Sequence, residues 1–175
     1  MRDVATLDIR LATPDDAPGL AATTRLGFES YLEWAPDGWR PPPRSLELRA
    51  IRERLKQNTT WCAMALDEDG EQAGHVGITH ASERDRPHVR IPGRAHLWML
   101  FVRPQWWGSG LAGRLHRLAL EEAGRRGYES IRLYTPAGQA RARAFYTREG
   151  WVAAGPPFAE PLLGLDLVEY RRAVG

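Results

Sequence analysis

A chain of 175 residues, 43% hydrophobic and 26% charged, has the size and balance of one globular domain spanning 1–175. No apolar run approaches the ~20 residues that cross a bilayer, and "MRDVATLDIR" has no hydrophobic leader core, so no membrane partner and a cytoplasmic address are expected. The net charge is only +2, and every basic residue but Lys56 is an arginine scattered among acids, so no nucleic-acid face is indicated; arginine does suit bidentate phosphate and carboxylate contacts.

In chain order, "LDIRLA" (7–12) alternates and predicts a strand. A helix follows, with Thr13 as N-cap, Pro14 at its first position and acids in the first turn. The Pro/Gly-rich stretch 33–44 breaks the pattern, and Ser45 can cap a second helix whose Leu48, Ile51 and Leu55 fall at helical spacing. "TTWCAMAL" and "EQAGHVGITHA" flank the turn "DEDG" as a hairpin. Cys62, alone in that first strand, reads as a small buried hydrophobe. A charged loop (82–94) precedes "AHLWMLFV" (95–102), whose unbroken apolar character predicts a central strand covered on both faces. A helix from about Gly108 to Arg126, the strand "ESIRLYTP", a helix from Gln139 ended by Gly150, and the strands "WVAAG" and "LLGLDLVEY" complete the chain. The fold class is therefore α/β, with a mixed, mostly antiparallel sheet around a central parallel βαβ unit.

"WWGSGLAG" (106–113) contains G-x-G-x-x-G at Gly108, Gly110 and Gly113, the string of a dinucleotide-binding turn. Its context is wrong for that reading: "RPQWW" separates it from its strand, and the next strand ends in Tyr134-Thr135-Pro136 without a ribose-binding acid. What survives is a glycine turn opening an amphipathic helix, where free N–H groups can meet an anion.

The surroundings say which anion. "LFVRPQWWGSGLAGRL", with Val102, Pro104, Gly110 and Ala112 in register, resembles the acetyl-CoA-binding motif of the GCN5-related N-acetyltransferase (GNAT) superfamily, although Trp107 stands where Arg or Gln is usual. "QARARAFYTREGW" (139–151) is similar to a second segment of that family, through Ala142, Tyr146, Gly150 and Trp151, with Gln139 in place of Asn.

The resemblance implies a GNAT-like fold and transfer of an acetyl group from acetyl-CoA, as cosubstrate, to a primary amine. It implies a pyrophosphate cradle made by Trp107, Gly108, Ser109, Gly110, Leu111 and Ala112. It places the pantetheine arm along a splayed strand edge at Leu100, Phe101 and Val102, with the Leu100 N–H polarising the thioester carbonyl. Gln139 and Arg143 are assigned to the cofactor because they share a helix face with Tyr146, the expected acid for the leaving thiolate. His96 occupies the register where many relatives carry a glutamate base, and imidazole suits a proton transfer near neutrality; His75, His80, Glu29 and a water chain stay open. Phe28, Glu29, Tyr31 and Trp34 are expected to meet the acceptor, since aromatics beside acids suit a cationic amine. A protein or aminoacyl-tRNA acceptor, or a silent acyl-CoA-binding regulator, remain alternatives, and a homodimer stays open. No histidine or cysteine spacing suggests a metal.

Overall fold

The computed structural model describes residues 3–175. Twelve helices and strands follow in chain order among them: β1 (Asp8–Leu11), α1 (Ala17–Glu29), α2 (Arg44–Leu55), β2 (Trp61–Leu66), β3 (Gln72–Ser82), β4 (Arg90–Val102), α3 (Leu111–Arg125), β5 (Ser130–Pro136), α4 (Ala140–Arg148), β6 (Val152–Ala153), β7 (Phe158–Glu160) and β8 (Leu165–Ala173). The strands form one sheet in the order β1-β2-β3-β4-β5-β8-β6, with β7 also on β8. Among the described residues only β4 and β5 are parallel, and α3 is their crossover helix. The expected mixed sheet is therefore present.

Three local expectations are corrected. Helix α1 begins at Ala17, after a 3-10 turn over Pro14–Asp16 that Asp16 holds by accepting a 2.8 Å bond from the Thr13 N–H. A helix running unbroken from Pro14 would need a donor at Pro18; the reset puts Pro18 in a first turn, where no N–H is required. Helix α2 begins at Arg44 on the Pro43 carbonyl, which accepts from Leu46 and Glu47, so Ser45 is no cap. The charged loop is shorter than its sequence suggests, because β4 starts at Arg90. Pro92 and Gly93 are accommodated beside a register shift between His80 and Ser82, and Gly93 adopts φ 67°. The short strand β7 is an addition to the elements expected from the sequence.

Helix α3 buries Leu111, Leu115, Ala119 and Ala123 on one sheet face, against Val76, Ile78, Ala95, Leu97, Ile131 and Leu133. Helices α1 and α2 cover the other face, with Ala17, Leu20 and Ile51 on Cys62, Met64 and Met99. Cys62 is 3% exposed and burial pushes its thiol up to about 12, as befits an inert core residue. A third cluster joins Tyr31 and Trp39 to Leu165, and the Trp39 indole N–H donates to the Leu163 carbonyl at 2.8 Å.

Two histidines lie inside this core. His75 is held neutral, its pKa lowered to about 3 by desolvation and then by the Arg103 charge. His116 accepts a 2.9 Å bond at Nε2 from the Trp151 indole, and desolvation lowers it to about 4 against the opposing pull of Glu149. A histidine whose folded pKa lies below its unfolded value contributes stability that is present above pH ~6.5 and lost as pH falls. Denaturant titrations are therefore expected to show stability dropping from pH 6.5 towards 4, by up to ~1.4 kcal/mol per pH unit for each of these two residues, with His96, lowered to about 3, adding in the same direction. A profile that stays flat over this window would mean that both rings charge without leaving the core.

Candidate active site

The register of β4 sets the geometry. Gly77 on β3 opposes Met99 while Ile78 opposes Leu97, so Trp98 is an extra residue in a bulge. Ala95 and Leu97 pack on the α3 side, whereas beyond the bulge Leu100 and Val102 do so, and Met99 and Phe101 turn to α1. A bulge re-aims every later side chain and bends the strand. Gly77 permits it, because a Cβ there would lie 2.5 Å from the Trp98 ring.

Parallel pairing of β4 with β5 stops at Leu97 opposite Leu133. Beyond this point Tyr134, Thr135 and Pro136 pair only with β8, so one edge of Trp98–Val102 has no strand partner among the described residues. The two strands splay, and a cleft of ≈ 700 Å³ opens along the gap. Its walls include Leu100, Phe101 and Val102 on one side, Trp107 and Gly108 to Ala112 apart from Ser109 at the α3 start, and Gln139, Ala142 and Tyr146 from the α4 region.

At its mouth, Gly108 and Gly110 adopt φ 78° and 90°, the left-handed region that glycine occupies without strain. The N–H groups of Gly108, Gly110, Ala112 and Gly113 make no hydrogen bond among the described residues. The other amides of the turn are engaged: Trp107 and Ser109 donate to Pro104 and Trp106, and Leu111 to the Ser109 hydroxyl at 3.3 Å. Four free donors opening a 15-residue helix form an anion cradle. Trp107, the departure from the usual motif residue, braces this turn, since its indole donates to the Val102 carbonyl at 2.8 Å and the Arg141 guanidinium stacks 3.9 Å from its ring centroid. Arg117, Arg141 and Arg148 also line the cleft. The sequence gives no sign of this, because they differ in no visible way from the other arginines.

Tyr146 is 7% exposed, its ring packed on Phe145, Trp151 and Tyr170 at centroid distances of 5.3, 5.8 and 6.2 Å. Its hydroxyl has no hydrogen-bond partner among the described residues, and the residue lines the cleft. Burial, and then the nearby Tyr31, raise its pKa, so the phenol keeps its proton at neutral pH. Tyr31 lines the same cleft from the α1 side.

Several expected residues stand elsewhere. Arg143 is spent inside the protein, donating to the Ala137 carbonyl at 2.8 Å and the Tyr170 hydroxyl at 3.1 Å. Phe28 packs edge-on against Phe101 and Tyr31, and Trp34 lies on Gly138, where a Cβ would meet its ring at 2.7 Å. Glu29 faces outward with Arg25 and Arg44, in a separate ≈ 470 Å³ cavity between α1 and α2. His96 lies outside the cleft. Its Nδ1 accepts from Arg132 Nε at 3.4 Å, which puts the ring proton on Nε2, and desolvation with the Arg132 charge lowers its pKa to about 3. An imidazole with its lone pair turned to a guanidinium is poorly suited to take a proton near neutrality.

The Acetyltransferase (GNAT) family model matches residues 27–151, and the chain belongs to that family. Acetyl-CoA is the family's acetyl donor, and the cradle, strand edge and tyrosine fit such a molecule. Among solved structures, the chain is similar to a GNAT-family acetyltransferase from Staphylococcus aureus, with a TM-score of 0.74, 14% identity, and 97% of this chain and 99% of that one covered. It is also similar to an acetyltransferase from Thermus thermophilus, with a TM-score of 0.69, 23% identity and coverage of 98% and 99%. The paia N-acetyltransferase of Thermoplasma acidophilum, in complex with coenzyme A, aligns with a TM-score of 0.66, 15% identity and coverage of 95% and 98%. No curated protein matches the chain in sequence. None of its helices is long and apolar enough to cross a membrane, among the described residues.

Proposed function

We propose that this protein transfers the acetyl group of acetyl-CoA to the primary amine of a small molecule, by direct attack within a ternary complex. The observation that carries this reading is one cleft joining three features: four free N–H groups, an unpaired strand edge and the Tyr146 hydroxyl. Acetyl-CoA supplies an acetyl group already activated as a thioester. The first turn of α3 binds the pyrophosphate, and Arg117, Arg141 and Arg148 add charge around it. The free edge of β4 orients the pantetheine arm and aims a backbone N–H at the carbonyl oxygen. Tyr146 holds, at its hydroxyl, a proton for the departing sulfur.

The test is thiol release from acetyl-CoA with small amines of several charge types, beside calorimetric binding of acetyl-CoA. Release with at least one amine class is expected. Binding without release for any amine would overturn the enzymatic reading, and absence of binding would overturn the cradle itself.

A further inference from the structure

We infer that the acceptor amine also carries an anionic group, a carboxylate or a phosphonate, which docks on an arginine rim at the apex of the splay; this rests on the acetyltransferase reading above. Trp98 and Tyr134 are the first residues of β4 and β5 beyond the last parallel pair, and His96 opposite Arg132 lies one pair before it. Trp98 belongs to the α1–α2 side of the sheet, the side opposite α3. These residues do not line the ≈ 700 Å³ cleft but stand beside it, Trp98 two residues before Leu100 of its wall, and the acceptor's anion is placed here on the side opposite the acyl group.

Three arginines from three elements converge there. Arg54 of α2 has its guanidinium carbon 5.5 Å from the Trp98 centroid. Arg132 of β5 lies 4.9 Å from that of Tyr134, and Arg84 of the β3–β4 loop 4.0 Å from that of Phe158. Phe158 in turn meets the Tyr134 ring edge-on at 5.1 Å. Aromatic faces hold guanidinium groups without neutralising them.

The carboxylates near this rim leave Arg54 and Arg132 without a direct partner, although the charge of Glu169 reaches Arg132. Neither Arg54 nor Arg132 forms an ion pair among the described residues, although Arg132 is 7% exposed. Arg132 donates to the Ser82 carbonyl at 2.5 Å and to His96, both neutral acceptors. Arg84 meets Asp85, at 3.8 Å, whose side chain is 91% exposed. Glu169, the carboxylate beside Tyr134 in register, is bound by Arg171 at 2.5 Å. The Tyr134 hydroxyl, Trp98 indole N–H and His80 Nδ1 also lack partners among the described residues. Partly buried cations without counter-charges are costly unless a ligand supplies the charge. Glu29, the acid expected to receive a cation, faces the outer cavity, and the nearby Glu33 and Asp37 are exposed.

The same field disfavours a second positive charge on the acceptor and lowers the pKa of an arriving ammonium. An acid-bearing amine is thus attracted through its anion and deprotonated more readily at its nitrogen. The proton released from that nitrogen passes to solvent water, the ammonium being deprotonated before the amine attacks.

The experiment compares thiol release with β-alanine and 2-aminoethylphosphonate against propylamine and 1,3-diaminopropane. The acid-bearing pair is expected to have kcat/KM at least about tenfold higher, the scale of one charge-assisted hydrogen bond. Arg54→Gln is expected to shrink that preference by about tenfold, read as the ratio of the two kcat/KM values. Arg84→Gln, at a half-exposed site, is expected to act in the same direction and serves if Arg54→Gln fails to fold. Equal or better turnover of propylamine or the diamine would overturn the anionic acceptor while leaving the acetyltransferase reading intact. An unchanged ratio in both variants would overturn the rim. Silence with all four amines, despite acetyl-CoA binding, would overturn both readings together.

Discussion

Tyr146→Phe is expected to lower kcat by about 10²-fold, the usual contribution of a positioned general acid. The substitution removes one oxygen and keeps the ring that Phe145, Trp151 and Tyr170 enclose, so the core and the affinity for acetyl-CoA are expected to persist. Because burial holds the proton on the phenol, the acid is in its working form at neutral pH. Steady-state kinetics with calorimetric binding separates the two effects, since loss of a transition-state interaction lowers kcat and kcat/KM alike. Unchanged turnover would remove the role from Tyr146. A fall in Tyr31→Phe alone would then assign it to the second phenol on the cleft, which desolvation also keeps protonated.

Gly110→Val is expected to weaken acetyl-CoA binding by roughly 10²-fold, the scale of losing one or two charge-assisted hydrogen bonds. A Cβ at Gly110 would meet no atom within 4 Å, so crowding is not the reason. The reason is φ 90°, which a β-branched residue cannot adopt without strain. The turn must rotate, and the N–H groups of Gly110, Ala112 and Gly113 then cease to converge. Calorimetry with acetyl-CoA checks this, and wild-type affinity in the folded variant would show that the cradle tolerates another turn geometry.

The central strand and the glycine turn were legible because they depend on local pattern. "AHLWMLFV" is apolar on both faces, and both faces are covered. "WWGSGLAG" places glycines where positive φ is required, and the positions are Gly108 and Gly110. Tyr146 and Gln139 reach the cleft as expected from the α4 motif, while Arg143, on the same helical face, does not. Helical spacing fixes which side a residue leaves the backbone from; whether a long guanidinium continues to the cofactor or bends to Ala137 and Tyr170 depends on what stands opposite. His96 fails in the same manner. Its register was readable, but its tautomer is set by Arg132, 36 residues away in sequence and paired with it only across the parallel strands.

By itself, the sequence determined the element order apart from β7, the family and the position of the glycine turn, all consequences of periodicity, glycine chemistry and short motifs. Tertiary structure decided the rest: the one-residue bulge at Trp98, the end of pairing at Leu97, and the meeting of Arg54, Arg84 and Arg132 at the strand gap. A bulge arises where two strands disagree in length, and an unpaired charge is a property of everything around it. Neither is written in any single stretch of the chain.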